Sequence, residues 1–204
     1  NAYFQALEEY LDMLMIILGL VVFFGVQSIR VVAPEWRQVA MLKHGVMRWR
    51  LRFGLITLLA TALIIMGYMQ MRLDPTILWT PPVWTRHIAG LMMLLSLYFV
   101  GSAIIPKTTM KRLMGYPMLI AVKLWAFSHL ISNGELVALI VFGSFLIWST
   151  VMFSISRRRD RKVGVVAGES SVEFDLAAFV FAMVSWFAIV FYLHEIVFGV
   201  SALV

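Results

Sequence analysis

The sequence predicts an all-α, polytopic membrane protein, and three observations support this fold class. Of the 204 residues, 62% are hydrophobic and only 14% are charged, whereas soluble domains have roughly 45–50% apolar residues. The mean hydropathy is +0.90. Long and nearly uncharged runs recur at about the 20-residue length that a bilayer-crossing helix needs. Together they predict a bundle of six transmembrane helices.

Six apolar segments define the predicted spans, at roughly 12–29, 53–71, 87–105, 117–132, 135–155 and 174–198. The fourth is short, and Asn133-Gly134 predicts a tight hairpin into the fifth, because this dipeptide favours left-handed turn conformations. Residues 1–12 are interpreted as a separate N-terminal segment, either native or added for expression, and 13–204 as one transmembrane domain. Because the start is acidic, we expect no cleavable signal peptide.

Residues 30–52 predict a basic helix at the membrane interface after span one. Pro34 ends the first helix, and apolar residues including Trp36 and Trp49 then alternate with cations. Such a mixture is typical of a helix at headgroup level, with tryptophans at the interface and Lys or Arg reaching outwards. An ordinary solvated loop is the alternative.

The distribution of basic residues predicts the orientation. The loops after spans one, three and five contain nearly all of them: Arg30, Arg37, Lys43, Arg48, Arg50 and Arg52; Lys107, Lys111 and Arg112; Arg157, Arg158, Arg159, Arg161 and Lys162. Basic loops face the cytoplasm, so both termini are expected on the other side. The net charge of +6 therefore indicates a lipid bilayer as partner and no nucleic acid.

This orientation places three of the four histidines in one leaflet. His87 begins span three, and His129 and His194 lie near the outer ends of spans four and six, whereas His44 lies on the cytoplasmic side. Imidazoles from facing helices can ligate haem iron, zinc or copper, so His87, His129 and His194 are the candidate metal ligands. The alternative is that they are interfacial side chains hydrogen-bonded to loop carbonyls.

Two of these histidines have aromatic surroundings in the predicted helices. Helical spacing places Trp125 and Asn133 on the face of His129, which makes both candidates for contact with a cofactor. The face of His194 contains Phe187, Val190, Phe191 and Phe198, which could flank a flat macrocycle or a polyene.

Lys123 lies in the middle of a predicted span, so it is either a functional residue or a side chain whose amine extends to the interface. The chain has no cysteine, which excludes thiolate chemistry, and no nucleophile-elbow, P-loop or dinucleotide motif is present.

Several strings resemble the NnrU family of bacterial membrane proteins, whose plant relative is the chloroplast zeta-carotene isomerase. They are LGLVVFFGVQSIRVVAPEWR (18–37), LDPTILWTPPVWTRHIAGLMM (73–93), GYPMLIAVKLWAFSHLISNGELVALIVFGSFLIW (115–148), the following RRRDRK, and YLHEIVFGVS near the end. The likeness covers roughly 13–204. It implies an NnrU-like domain in the energy-transducing membrane, the inner membrane of a bacterium.

The resemblance also implies a function and a cofactor. Family members in denitrifying bacteria are associated with nitric oxide metabolism, and the plant relative is a haem b enzyme that isomerises a cis double bond of a carotenoid. His129 matches the natural axial-ligand position. Gln27 and Tyr116 stand where the family often has histidine, so the second ligand would be His194 or His87, unless this member binds no haem.

Three functions therefore remain open. The first is a haem b protein connected with nitric oxide and denitrification, and the second is a haem-dependent carotenoid cis-trans isomerase acting on a polyene. The third is a cofactor-free accessory subunit of a membrane complex that uses small-residue faces such as Gly101-Ser102 and Gly143-Ser144. A weaker likeness of GYPMLIAVKLW to isoprenylcysteine-type methyltransferases would rely on Glu173 and Asp175.

Overall fold

The computed structural model describes residues 2–164 and 168–202, and it confirms the all-helical membrane fold class. Helices make up 83% of the structure. They are α1 (Ala2–Val32), α2 (Pro34–His44), α3 (Val46–Met71), α4 (Trp84–Ile104), α5 (Thr109–Met114), α6 (Pro117–Ser132), α7 (Leu136–Val163), α8 (Val172–Ala188), a π-helical turn (Ile189–Leu193) and α9 (His194–Phe198).

Five helical segments within the described ranges are long and apolar enough to cross a bilayer: Tyr10–Val32, Val46–Met71, Trp84–Ile104, Leu136–Val163 and Val172–Phe198. The shorter apolar helix Pro117–Ser132 corresponds to the predicted fourth span. At 1.5 Å per residue its 16 residues extend over about 24 Å, somewhat less than a hydrocarbon core of about 30 Å. The chain is an integral membrane protein.

The chain forms two compact units, Asn1–Thr76 and Ile77–Val204. In the first unit, α3 packs along α1 at a crossing that only very small residues permit. A Cβ atom on Gly19 would lie 2.7 Å from Ile64 Cγ1, and one on Gly67 would lie 2.7 Å from the main-chain oxygen of Asp12. Small residues allow close backbone approach in membrane bundles, so these two glycines fix the α1–α3 contact.

The helix predicted after span one is α2, and it has no buried residue. Pro34 occupies its first turn, where the missing N–H of proline costs no hydrogen bond. Gly45, with φ +85°, separates α2 from α3. The second span thus begins at Val46 and incorporates basic residues that the sequence had assigned to the loop.

In the second unit, α4 packs against both α6 and α8, and α6 packs against α7. Two hydrogen bonds to main-chain carbonyls hold α4 in place: Ser96 Oγ donates to Ala121 O at 2.8 Å in a buried position, and Trp186 Nε1 donates to Gly90 O at 2.8 Å in a partly buried one. A Cβ on Gly101 would lie 3.0 Å from the Ala178 carbonyl oxygen. The small face at Gly101 therefore serves the contact between α4 and α8.

The predicted left-handed turn at Asn133-Gly134 is wrong. Asn133 is extended, with φ −128° and ψ 127°, and Gly134 does not have a positive φ. Glycine is needed here because another segment approaches it. The Gly134 carbonyl accepts hydrogen bonds from the N–H groups of Leu78 and Trp79 at 2.8 and 3.3 Å, and a Cβ would overlap the Trp79 carbonyl.

Candidate cofactor site around His129 and His194

His129 lies in the last turn of α6, where two neighbours fix its position. Its Nδ1 donates to the Trp125 carbonyl at 2.8 Å, since a carbonyl can only accept. Asn133 Nδ2 donates to the His129 carbonyl at 2.8 Å, which satisfies one of the carbonyls that a helix end leaves without a partner. Both residues predicted to share its face therefore bind His129 through hydrogen bonds.

Aromatic rings from α6 and α7 form a wall beside this imidazole. Phe142 stacks on His129 with 4.5 Å between ring centroids and 28° between planes, and the Trp125 ring lies 5.4 Å away. Trp125 in turn contacts Phe142 and Phe145 edge to face, at 5.0 and 5.2 Å. Phe142 and Phe145 are buried, so the wall is anchored in the core of the second unit.

His194 is positioned by an irregular helix end. It follows the π-helical turn Ile189–Leu193 and begins the short helix α9, which ends at Gly199 in the left-handed conformation, φ +69°. This turn brings the Val200 carbonyl back to accept a hydrogen bond from His194 Nδ1 at 2.8 Å. The Phe198 ring lies 5.2 Å from the imidazole.

His129 and His194 therefore share one hydrogen-bonding arrangement. In each, a main-chain carbonyl accepts from Nδ1, so the neutral imidazole has its proton on Nδ1 and a lone pair on Nε2. Metal-ligating histidines usually have this arrangement, because the second hydrogen bond fixes the tautomer and raises ligand basicity.

The structure does not add a third ligand to this pair. His87 lies exposed in the first turn of α4, and no group of three or more His, Asp or Glu residues within 2–164 and 168–202 could hold a metal ion. The role of His87 as a metal ligand stays a prediction.

Lys123, the lysine in the middle of the fourth span, has a structural partner. Its ammonium group lies 4.2 Å from the centroid of the Phe153 ring on α7, a favourable cation–π geometry. This contact favours the structural interpretation of Lys123 over a functional one.

Gln27 and Tyr116, which stand where the family often has histidine, both form contacts between helices. In the first unit, Gln27 Nε2 lies 3.5 Å from Thr57 Oγ1. In the second, the Tyr116 hydroxyl donates to Asp160 Oδ1 at 2.8 Å and accepts from Arg159 Nη2 at 2.9 Å. Burial and then the hydrogen bond to the Asp160 carboxylate raise the pKa of Tyr116 above its usual 10.0. Tyr116 thus joins the start of α6 to the end of α7.

Asp175, one of the acids that a methyltransferase interpretation needs, is already engaged. Its two carboxylate oxygens accept from the Thr109 main-chain N–H at 2.7 Å and from the Thr109 hydroxyl at 2.6 Å. Asp175 therefore ties α5 to the first turn of α8, which is a structural role.

The donor set of the site fits haem b. Two neutral imidazoles have lone pairs on Nε2, and imidazole is a usual axial ligand of b-type haem iron. A chain without cysteine offers neither a thiolate ligand nor a thioether attachment, and b-type haem needs neither. His129 and His194 are the residues that would hold the iron.

Sequence reasoning missed the hydrogen bonds of the two imidazoles, the π-helical turn before His194 and the docking of residues 78–79 on Gly134. Only the last had a visible signal, the prolines in LDPTILWTPPVWTR, which indicate an ordered loop but not its docking site.

Fold and site together define an integral membrane helical bundle with a histidine pair at the end of two apolar segments. Comparison with protein families matches residues 15–202 to the family described as NnrU protein, and the chain belongs to the NnrU family. No curated protein and no solved structure matches it.

Proposed function

We propose that this protein binds haem b through His129 and His194 in the bacterial inner membrane, and that it takes part in nitric oxide metabolism during denitrification. The observation that supports the proposal most is the shared hydrogen-bonding arrangement of the two imidazoles. They come from different helices, α6 and α8 both pack against α4 in the same unit, and both imidazoles have Nδ1 bonded to a main-chain carbonyl. Haem held by both imidazoles would supply one-electron chemistry, and it would offer a site to a small diatomic molecule only once one of the two imidazoles is displaced.

The chain's own residues would determine how the cofactor is held. The carbonyls of Trp125 and Val200 orient the two rings, and the stacked Phe142 keeps the His129 ring from rotating. The apolar side chains around the two imidazoles would influence the potential of a bound haem. These residues bind and orient, and the proposal assigns none of them a proton-transfer step.

An absorption spectrum tests haem binding directly. The protein is purified in detergent from haem-replete cells and recorded before and after dithionite. We expect a Soret band that shifts on reduction and is lost or strongly displaced in His129→Ala and in His194→Ala. His44→Ala is the matched control, because His44 lies in the other unit. The His44→Ala protein should retain the wild-type spectrum. A colourless, folded preparation would contradict the proposal.

The link to nitric oxide needs a separate measurement. Cells lacking the gene, and cells with a His129→Ala copy, are grown anaerobically on nitrite while an electrode follows nitric oxide consumption. We expect slower consumption in both strains and recovery with the wild-type gene. Equal consumption in all strains would remove denitrification from the proposal and leave haem binding intact.

A carotenoid cis-trans isomerase is the second candidate, and the surface before His194 favours it. Phe187 and Phe191 contact each other at 4.7 Å between ring centroids, and both are about half exposed. A polyene dissolved in the bilayer could therefore reach this end of α8. Chromatography of a cis-carotene incubated with reduced, purified protein tests it, with heat-inactivated protein as the control.

A colourless protein would instead favour the accessory-subunit function. Gly101 already contacts α8 within the same unit, whereas a Cβ on Gly143 would meet only Leu139, at 3.9 Å. The face at Gly143 and Ser144 is thus the better surface for another subunit. Gly143→Leu should then abolish copurification of a partner protein, and unchanged copurification would contradict this.

The proposed orientation, with both termini outside the cytoplasm, can be tested because the chain has no cysteine. Asp74→Cys lies in the loop after α3 and Arg158→Cys in the basic last part of α7, so they place single thiols at exposed residues on opposite sides of the proposed membrane. An impermeant maleimide should label Asp74→Cys in intact spheroplasts, and Arg158→Cys only after permeabilisation. The reverse labelling would invert the topology.

A further inference from the structure

A cavity of about 460 Å³ lies in the first unit, among the end of α1, α2 and the start of α3. This volume is within the range of about 300–1,000 Å³ that is typical of small-molecule sites. None of its lining residues belongs to the histidine site of the second unit, so the cavity is independent of the proposed haem function.

The walls of the cavity are apolar and aromatic. Val26, Ala40 and Ile56 contribute from the three helices in turn. Trp36 and Trp49, which also line the cavity, meet edge to face with 5.6 Å between ring centroids. This surface suits a hydrocarbon chain, because it offers many dispersion contacts and few polar groups.

Basic side chains complete the lining. Lys43, His44 and Arg52 all face the same cavity, and neither Lys43 nor Arg52 forms a salt bridge with any described residue. A lysine and an arginine beside an apolar wall fit a ligand with an anionic group at one end and an apolar chain at the other. A soluble phosphate would use only the cations, and a neutral hydrophobic molecule would use only the wall.

We propose that this cavity binds one anionic phospholipid, with its phosphate at Lys43 and Arg52 and an acyl chain along the two tryptophans. The position of α2 supports this occupant, since none of its residues is buried within the protein although the helix covers a cavity. Basic segments beside transmembrane helices attract anionic lipids, and here the cations and the apolar wall belong to one site. The lipid would hold α2 against α1 and α3.

Native mass spectrometry of the full chain in detergent tests the proposal, with phosphatidylglycerol and phosphatidylcholine as the two probes. Lys43→Gln/Arg52→Gln removes the cations of the cavity. Arg48→Gln/Arg50→Gln is the matched control, because it removes the same charge from exposed residues of the same segment that do not line the cavity. We expect one retained phosphatidylglycerol in wild type and control, and roughly thirtyfold weaker binding in the cavity variant, which lacks two cations.

A second variant separates the contribution of the cavity to lipid binding from that of the surface charge. Ala40→Phe fills the space without changing any charge, so it should also weaken phosphatidylglycerol binding by about tenfold or more. Circular dichroism and size-exclusion chromatography check that each variant is folded, and Lys43→Gln alone replaces the double variant if that one fails.

Three results would overturn the proposal. Equal weakening in the two double variants would show that only the overall charge of the segment attracts lipid. Equal retention of phosphatidylcholine would show that the cations do not select the headgroup. Displacement of the lipid by soluble glycerol phosphate would show that the site recognises free phosphate without the acyl chain.

Discussion

Replacing Gly134 with alanine is expected to detach the segment at Leu78 and Trp79 from the junction between α6 and α7. The new methyl group would overlap the Trp79 carbonyl and lie 3.2 Å from Pro81 Cδ, so main chain would have to move. The Gly134 carbonyl would then lose the hydrogen bonds that it accepts from the Leu78 and Trp79 N–H groups.

The expected magnitude follows from these two bonds. A main-chain hydrogen bond contributes about 1 kcal/mol net, and the bonds of 2.8 and 3.3 Å together give a loss of about 2 kcal/mol in the free energy of unfolding. The segment can move away from the methyl group, so the overlap adds no large strain to this loss. For a chain of this size the melting temperature would fall by roughly 4–8 °C.

Thermal unfolding in detergent, followed by circular dichroism, measures this change, and hydrogen exchange of the Leu78 and Trp79 amides localises it. Gly143→Ala is the matched control, because its new Cβ would meet only Leu139 at 3.9 Å and alanine favours a helix over glycine by about 1 kcal/mol. We expect a melting temperature equal to or above that of the wild type. Equal melting temperatures of Gly134→Ala and Gly143→Ala would show that Leu78 and Trp79 do not dock on Gly134. Continued protection of the Leu78 and Trp79 amides in Gly134→Ala would show the same.

Three further changes test contacts elsewhere in the structure. Gly67→Leu should destabilise the α1–α3 crossing by about 1–3 kcal/mol through overpacking, whereas Gly54→Leu, with open space around Gly54, should leave the melting temperature unchanged. Asp175→Asn should lower the free energy of unfolding by about 1–3 kcal/mol, because the hydrogen bonds from Thr109 lose their charge assistance. Glu173→Gln, at an exposed residue of the same helix, is the control. An equal loss of stability in Glu173→Gln would contradict the role of the Asp175 carboxylate. Because the pKa of Tyr116 is raised in the folded state, its contribution to stability is full below pH 10 and is lost as the pH rises through the folded pKa. The phenolate absorption difference between wild type and Tyr116→Phe should therefore have its midpoint above pH 10, and a midpoint at or below 10 would contradict the partly buried hydrogen bond from Tyr116 to Asp160.

The spans could be predicted from the sequence because a bilayer imposes a length and a polarity on each one. Their ends could not, since charge does not end a helix. Helix α7 continues to Val163, beyond the predicted end at 155, because arginine and lysine are good helix formers. The turn at Gly134 was predicted wrongly for a related reason. Local propensity describes the backbone that glycine can adopt, whereas here glycine is required by a segment more than 50 residues earlier in the sequence.

The candidate site likewise combines features that follow from local sequence with contacts that depend on distant segments. Counting residues from the membrane face predicts His129 and His194 in one leaflet, because depth along a span depends only on its direction and rise, and this placement stays a prediction. The hydrogen bonds that set their tautomers could not be predicted, since the acceptor for His194 is the carbonyl of Val200, beyond the end of α9. Asn133 was predicted as a contact of a cofactor, and the structure shows its amide bound to the His129 carbonyl.

The π-helical turn explains why the predicted aromatic face of His194 is divided. A π-helical turn accommodates about one residue more than an α-helical turn, so the residues after it are rotated by roughly 100° relative to a continuous α-helix. The rings accordingly form two separate pairs: Phe187 before the turn contacts Phe191 within it at 4.7 Å, and His194 contacts Phe198 after it at 5.2 Å. Such turns are rare and occur frequently at functional sites. The direction of His194 thus depends on a local irregularity of the helix and not on the helical period alone.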